Sequence, residues 1–341
     1  MGDIKTIVVG AGGISNAWFP NLVASGAEII GIVDLDPARA KAAIEKHGLV
    51  AETPTFSSLP EALDAERPDL VCDLTPPAFH FETARTALSA GCHVYSEKPM
   101  CDDLTKAAEL NALAARMDKT YAIMQNRRFR PEIVRFKQSI ERGDIGTLTT
   151  LNADFYLGPH FGGFREEMEH VLLFDMAIHT FDMARFISGA DPQAVYCHEW
   201  NPAGSWYSHG ASAVAIFEMS GGVVFTYRGS WCAEGQSTSW ESEWHAVGTT
   251  GSARWDGGAG LAAERLVAGA EGFARTVEAV ELPAPEVWEK SGHAAAIDDF
   301  LNCLREGRQP QTHGGDNVRS LAMTLEAIRS AEQGKRIEIT L

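Results

Sequence analysis

Ile4-Lys5-Thr6-Ile7-Val8-Val9-Gly10-Ala11-Gly12-Gly13-Ile14-Ser15 is the stretch whose reading decides the fold. A short β-rich run ends directly in a glycine cluster, and the glycines stand where a strand would turn into a helix. Their spacing is that of a dinucleotide fingerprint with serine at the third glycine position. Gly10 permits the tight turn, Gly12 lets the backbone approach a pyrophosphate, and a helix from about Ile14 points its positive end at it. A second strand, 28–33, ends in Asp34, 24 residues after Gly10. That is near the spacing at which a carboxylate meets the adenosine ribose hydroxyls. Asp34 could instead cap the next helix, but Asp36-Pro37 already offers that helix a cap and a first-turn proline.

Outward from this start the pattern alternates. A helix is expected at 38–46, a short strand at 54–56, a strand at 69–74 running into Thr75-Pro76-Pro77, and a helix at 81–90 stopped by Gly91. The strand His93-Val94-Tyr95 follows, then a helix at 104–117 capped by Asp103 and a strand at 121–124. Repeated strand–helix alternation with right-handed crossovers means a doubly wound parallel sheet. The segment Tyr95-Ser96-Glu97-Lys98-Pro99-Met100 places a lysine at the carboxyl end of one of those strands, where such sheets deliver ligands. Pro99 disfavours the α region at Lys98, so the side chain leaves from a stiff, extended base.

A chain of 341 residues exceeds the size of a single core, so a second domain is expected, dividing the chain into 1–125 and 126–341. In the second part a linking helix at 131–142 precedes a strand at 147–157 that alternates Leu151, Ala153, Phe155 and Leu157 with Thr150, Asn152, Asp154 and Tyr156. Further strands are expected at 194–198, 213–219, 223–230, 244–248 and 336–340, with Gly221-Gly222 as a hairpin signal. Helices are expected at 173–187, 294–305 and 316–332. The fold class is therefore α/β: an N-terminal doubly wound (Rossmann) sheet and a C-terminal α+β domain with an open, mainly antiparallel sheet.

Composition excludes several classes. A formal charge of −17 repels nucleic acid and anionic lipid. No apolar run approaches a membrane span, and the N-terminus reads straight into a strand, so a cytoplasmic protein is expected. The six cysteines show no CxxC spacing, which fits a reduced setting. Eleven histidines are present, but there is no HExxH and no third ligand clustered with Asp175 and His179, so no metal is expected.

Asp175, His179 and Asp182 fall at i, i+4 and i+7 of an otherwise apolar helix, which sets all three on one face. A buried face carrying two carboxylates and an imidazole is either a satisfied polar network, with Asp182 paired to Arg185, or a site. Together with Gly10-Ala11-Gly12-Gly13-Ile14, Asp34, Thr75-Pro76-Pro77, His80, Glu97-Lys98-Pro99 and Arg128-Phe129-Arg130-Pro131, the Asp175…His179 segment resembles the glucose–fructose oxidoreductase / inositol dehydrogenase (Gfo/Idh/MocA) family along nearly the whole chain. The resemblance implies an NAD(P)-dependent oxidoreductase acting on a sugar, cyclitol or related polyol, with Lys98, Asp175 and His179 facing the nicotinamide.

The expected cofactor is NAD rather than NADP, because Asp34 would repel a 2′-phosphate, with Arg39 close enough to soften that effect. Gly10, Gly12, Gly13 and Ile14 are expected along the pyrophosphate. Thr75, Pro76, His80, Glu97, Lys98 and Asn126 are expected elsewhere along the cofactor. Lys98, Asp175 and His179 are the expected catalytic residues, and with Arg127, Tyr156 and Arg165 they form the expected substrate contacts. His179 would be the general base, Lys98 would hold the hydroxyl oxygen, and Asp175 would orient the substrate or Lys98. A homodimer or homotetramer is expected from the polar–aromatic outer face of the second sheet. Two other classes use the same scaffold: redox-neutral lyase or glycosidase chemistry on tightly bound NAD, and a non-catalytic cofactor sensor.

Overall fold

In a computed structural model that describes residues 4–341, β1 (Ile4–Val9) lies inside a parallel sheet. In chain order there follow α1 (Ser15–Ala24), β2 (Ala27–Val33), α2 (Pro37–His47), β3 (Thr55–Phe56), α3 (Leu59–Glu66) and β4 (Leu70–Asp73). Then come α4 (Pro77–Ser89), β5 (His93–Ser96), α5 (Leu104–Met117) and β6 (Tyr121–Ile123). The six strands of the described residues stand in the order β3-β2-β1-β4-β5-β6, all parallel. The winding reverses between β1 and β4, so their carboxyl ends flank the topological switch point where such sheets bind ligands. Ile7, Val8, Leu70, Val71 and Cys72 are fully buried, as strands covered on both faces must be.

Local signals set the helix ends. Asp36 caps α2 by accepting from Ala38 N, Pro37 opens it, and Gly48 closes it in the left-handed region. Asp103 caps α5 on the amides of Thr105 and Lys106. α3 was not expected, since 59–66 carries only a short apolar stripe.

The chain forms two units. The first contains the described residues through Phe129 and takes in a later segment, Lys290–Val318; the second contains Arg130–Glu289 and Arg319–Leu341. The expected division at 125/126 thus leaves out a return of the chain to its first unit. The helix His293–Glu306 explains it: one face of that helix, with Ala296, Ile297, Phe300 and Leu301, is buried in the same core as Trp18, Phe19 and Leu22 of α1. Phe300 stacks on Tyr95 with ring centroids 4.2 Å apart, and Arg305 Nη2 donates to the carbonyls of Ser25 and Gly26.

The second unit begins with α6 (Pro131–Glu141) and β7 (Leu148–Tyr156), followed after a π-helical turn, Leu172–Ala177, by α7 (Ile178–Ser188). β8 (Pro192–Trp200), β9 (Ser212–Met219), β10 (Val224–Ser230), β11 (Glu243–Gly248), β12 (Gly251–Trp255), β13 (Leu261–Leu266) and β14 (Val277–Ala279) follow. The returning helix is α8 (His293–Glu306); α9 (Gly314–Gln333) contains the Val318/Arg319 division, and β15 (Ile337–Glu338) ends the sequence of elements. The nine described strands run β14-β13-β12-β11-β7-β10-β9-β8-β15, antiparallel except for the β7–β10 pair. Leu151, Ala153 and Phe155 of β7 are buried, as their alternation required. Phe181 of α7 meets Phe217 of β9 edge-on at 4.9 Å and Tyr227 of β10 at 5.3 Å, which seals one face of the sheet. β12 to β14 were not expected; Leu-Ala-Ala-Glu-Arg-Leu of β13 is a run of helix formers that strand pairing overrides. Among the described residues no helix is long and apolar enough to cross a membrane.

Candidate active site

The glycine loop of the first unit is shaped by contacts that no side chain would permit. Gly10 has φ 99°, and a Cβ there would lie 2.8 Å from the carbonyl oxygen of Leu74. Gly12 and Gly13 face the opposite situation, since a Cβ on either would meet nothing within 4 Å. The loop therefore presents bare backbone to open volume. α1 opens there with no acidic residue in its first turn and no side-chain cap, and the amides of Ser15, Asn16 and Ala17 bond to the carbonyls of Gly12, Gly13 and Ile14, so it is the helix dipole that suits an anion. Ser15 Oγ donates to Gly12 O at 2.6 Å and stiffens the turn.

Asp34 is fixed beside this loop. Its Oδ2 accepts from Ala11 N and its Oδ1 from Asp36 N, both at 2.8 Å. Each carboxylate oxygen keeps a lone pair for a hydroxyl. Arg39 is exposed and pairs with Asp36 at 3.5 Å. Bare glycines, an uncapped helix start and a positioned carboxylate together fit a dinucleotide.

The carboxyl ends of β4 and β5 are held by a residue that sequence reasoning missed. Asp73 is fully buried; Oδ1 accepts from Thr75 N and Thr75 Oγ1, and Oδ2 accepts from Ser96 Oγ at 3.2 Å. Pro76 then ends the turn and Pro77 starts α4. His80 is fully buried, with Nδ1 2.6 Å from Pro99 O and Nε2 2.7 Å from Thr75 O. Its ring thus ties the Lys98–Pro99 segment, whose peptide is cis, to the Thr75 turn, and both of its nitrogens are occupied by backbone rather than left open to a cofactor. Glu97 accepts from Trp18 Nε1 at 2.6 Å and, through its other oxygen, from Lys98 N at 3.2 Å.

Lys98, half-buried, and the buried Arg127 lie close enough to His293 of α8 for their charges to act on its ring. His293 Nδ1 is 3.2 Å from Asn126 Nδ2, and its Nε2 is 3.9 Å from Glu97 Oε1. Burial pushes the His293 imidazolium down; Glu97 opposes this, and the Arg127 and Lys98 charges add to it. Expected residues Glu97, Lys98, Asn126 and Arg127 are thus brought together, and His293 joins them from 167 residues away in sequence. Only a reading of α8 as part of the first unit would have found it.

In the second unit the spacing argument needs a correction. Asp175 sits in the π-helical turn Leu172–Ala177, and His179 is in the first turn of α7. The i→i+5 pattern widens the turn, so the i, i+4 geometry of a regular helix does not relate these two residues. Asp175 is buried and its Oδ2 accepts from Arg165 Nε at 2.7 Å. His179 is half-buried. Asp182 is 1% exposed and accepts from Ser320 Oγ at 2.7 Å; the same hydroxyl takes Arg185 Nη1 at 3.0 Å, which makes a buried polar network. Tyr156 is half-buried at the end of β7, and burial, then the Asp154 charge, pushes its phenol up.

These features define a class: the first unit is a dinucleotide-binding Rossmann domain. Residues 4–125 match the model of the oxidoreductase family with an NAD-binding Rossmann fold, and residues 133–254 match the GFO/IDH/MocA C-terminal domain. The chain belongs to the GFO/IDH/MocA family. An uncharacterised protein of Sinorhizobium fredii is 27% identical over 98% of this chain and 95% of its own length. An inositol 2-dehydrogenase of Corynebacterium glutamicum is 29% identical, over 65% of this chain and 65% of that enzyme. In fold, the chain is similar to an oxidoreductase from Agrobacterium radiobacter solved in complex with NAD+, L-tartaric acid and magnesium: TM-score 0.85, 21% identity, 99% of this chain and 98% of that one covered.

Proposed function

We propose that the protein is an NAD-dependent dehydrogenase that oxidises a secondary hydroxyl of a sugar, cyclitol or related polyol. The observation that carries this reading is the Glu97-Lys98-Pro99 segment: an ammonium at the carboxyl end of β5, beside the switch point, braced by Glu97, His80 and Asp73. The Corynebacterium relative is by name an inositol 2-dehydrogenase, which supports a polyhydroxylated ring as the substrate class. Asp34 supports NAD over NADP, since its fixed carboxylate favours ribose hydroxyls and opposes a phosphate.

Bound NAD would supply the carbon that accepts the hydride. The protein's own part is to hold the hydroxyl and move its proton. Lys98 would place a cation on the hydroxyl oxygen as it becomes an alkoxide. His179 would take the proton, a task for which an imidazole is suited near neutral pH. Asp175, fixed by Arg165, would orient the substrate.

The test is NADH formation, followed at its absorbance band, against a panel of monosaccharides, cyclitols and uronates. Net NADH from a free polyol is the expected result. Substrate consumption without net NADH would replace the reading with redox-neutral chemistry, and NADH binding without any turnover would leave a cofactor sensor.

A further inference from the structure

Phe161-Gly162-Gly163-Phe164-Arg165, in the loop after β7, is built around one guanidinium. Gly162 and Gly163 have φ 66° and 68°, a left-handed pair that side chains rarely adopt. Gly162 N donates to Glu166 Oε1 at 3.0 Å and fixes the turn. The rings of Phe161 and Phe164 come to lie 5.1 and 4.9 Å from the Arg165 guanidinium carbon. Phenyl rings against a guanidinium shed water from it and hold it still, while its donors, which lie in its plane, remain available at the edges.

One edge is in use, with Nε donating to Asp175 Oδ2 at 2.7 Å. Among the described residues this is the one hydrogen bond of the Arg165 side chain, which is 35% exposed. Phe161 and Phe164 are themselves 45% and 59% exposed, so the cup opens at the surface. An aromatic-cupped guanidinium with its Nη groups available is a planar recogniser of planar anions. A carboxylate meets such a fork in plane with two parallel hydrogen bonds. A phosphate can take the same fork through two of its oxygens, but its remaining oxygens lie out of that plane, toward the rings.

We propose that Arg165, cupped by Phe161 and Phe164 and anchored on Asp175, makes the site selective for an acidic polyol, whose carboxylate takes the Nη edge. The proposal rests on the dehydrogenase reading for its polyol and names the class within it: uronates or aldonates in preference to neutral sugars.

The experiment uses the NADH-loaded protein and matched ligands: glucuronate, galacturonate and gluconate against glucose, galactose and myo-inositol, with glucose 6-phosphate as the phosphate arm. Binding is read from tryptophan fluorescence. At least one acid is expected to bind about 10- to 100-fold more tightly than its neutral partner, with no comparable gain for the phosphate. R165M is expected to bring that ratio near one, and R165K to restore little of it, because a lysine lacks the planar fork. Circular dichroism confirms that each variant is folded. Equal binding of acids and neutral sugars, a preference for the phosphate, or an unchanged ratio in R165M would overturn the proposal. Turnover separates the two readings: NADH from neutral and acidic ligands alike removes the selectivity alone, whereas selective binding of acids with no NADH from any ligand keeps the carboxylate cup and removes the dehydrogenase.

Discussion

Asp34 is held from two sides, by Ala11 N and by Asp36 N, so its charge cannot swing away from an approaching ribose. Replacing it with serine keeps an acceptor for Ala11 N and removes the negative charge. Asp34→Ser is expected to raise the NADPH:NADH affinity ratio by at least about tenfold, or roughly 1.4 kcal/mol, measured by cofactor fluorescence; an unchanged ratio would remove the assignment. Lys98→Met keeps the stem and deletes the ammonium. Turnover is expected to fall roughly a hundred- to thousand-fold, about 2.7–4 kcal/mol, while NADH binding changes little. Near-normal kcat in a folded variant would falsify the alkoxide role. The places of Asp34 and Lys98 just past strand ends could be read in the sequence because short-range signals mark where β2 and β5 stop. Asp73 and His293 could not, since their partners lie in other strands or far along the chain.

Elements show where local reading stops. The fingerprint loop, α2 and α5 are written in short-range chemistry: glycines, Asp36-Pro37, Asp103. β13 is not, because its residues favour a helix and only pairing with β12 and β14 makes them a strand. The π-helical turn that carries Asp175 is likewise invisible to a 3.6-residue period. Phe300 is 1% exposed and stacked on Tyr95, so Phe300→Ala is expected to destabilise the first unit by about 3–5 kcal/mol, read by urea unfolding; a loss below 1 kcal/mol would mean that α8 is not part of that core. A second element-scale prediction concerns His170, just before the π-helical turn, with φ 52°. Its ring is bracketed by Glu199 of β8 and Glu332 of α9. The Glu199 hydrogen bond raises its pKa, with Glu199, Glu332 and Glu169 charges adding and burial opposing. A raised folded value means that the pair's stabilisation is full below about 6.5, the unfolded value, and is lost as pH rises through the folded one. The melting-temperature difference between the wild-type chain and Glu199→Gln should therefore be largest below about pH 6.5 and narrow as pH rises.

For the whole molecule, the outer face of the second sheet bears on assembly. Tyr196 of β8 and Ile216 of β9 are register partners and both are exposed, with Trp200 and Val224 exposed on the same strands or the next. We propose that this apolar strip is covered by a second copy, giving a homodimer or homotetramer. Light scattering at micromolar concentration is expected to give a multiple of the monomer mass, and a monomer would exclude it. The two-domain plan was legible from length and from the change between alternating βα units and a strand-rich second part. The return of 290–318 was not, because nothing in that segment announces which core its apolar face belongs to.

That return has a consequence for how the protein is made. Ribosomes add roughly 5–20 residues each second, and residues 130–289, about 160 of them, lie between the two parts of the first unit. A nascent chain therefore carries Tyr95 without Phe300 for roughly ten to forty seconds, and the inner side of α1 for longer. The cofactor-binding half, although translated first, is completed after most of the second unit has emerged. A ribosome stalled anywhere in that interval displays an unfinished apolar face.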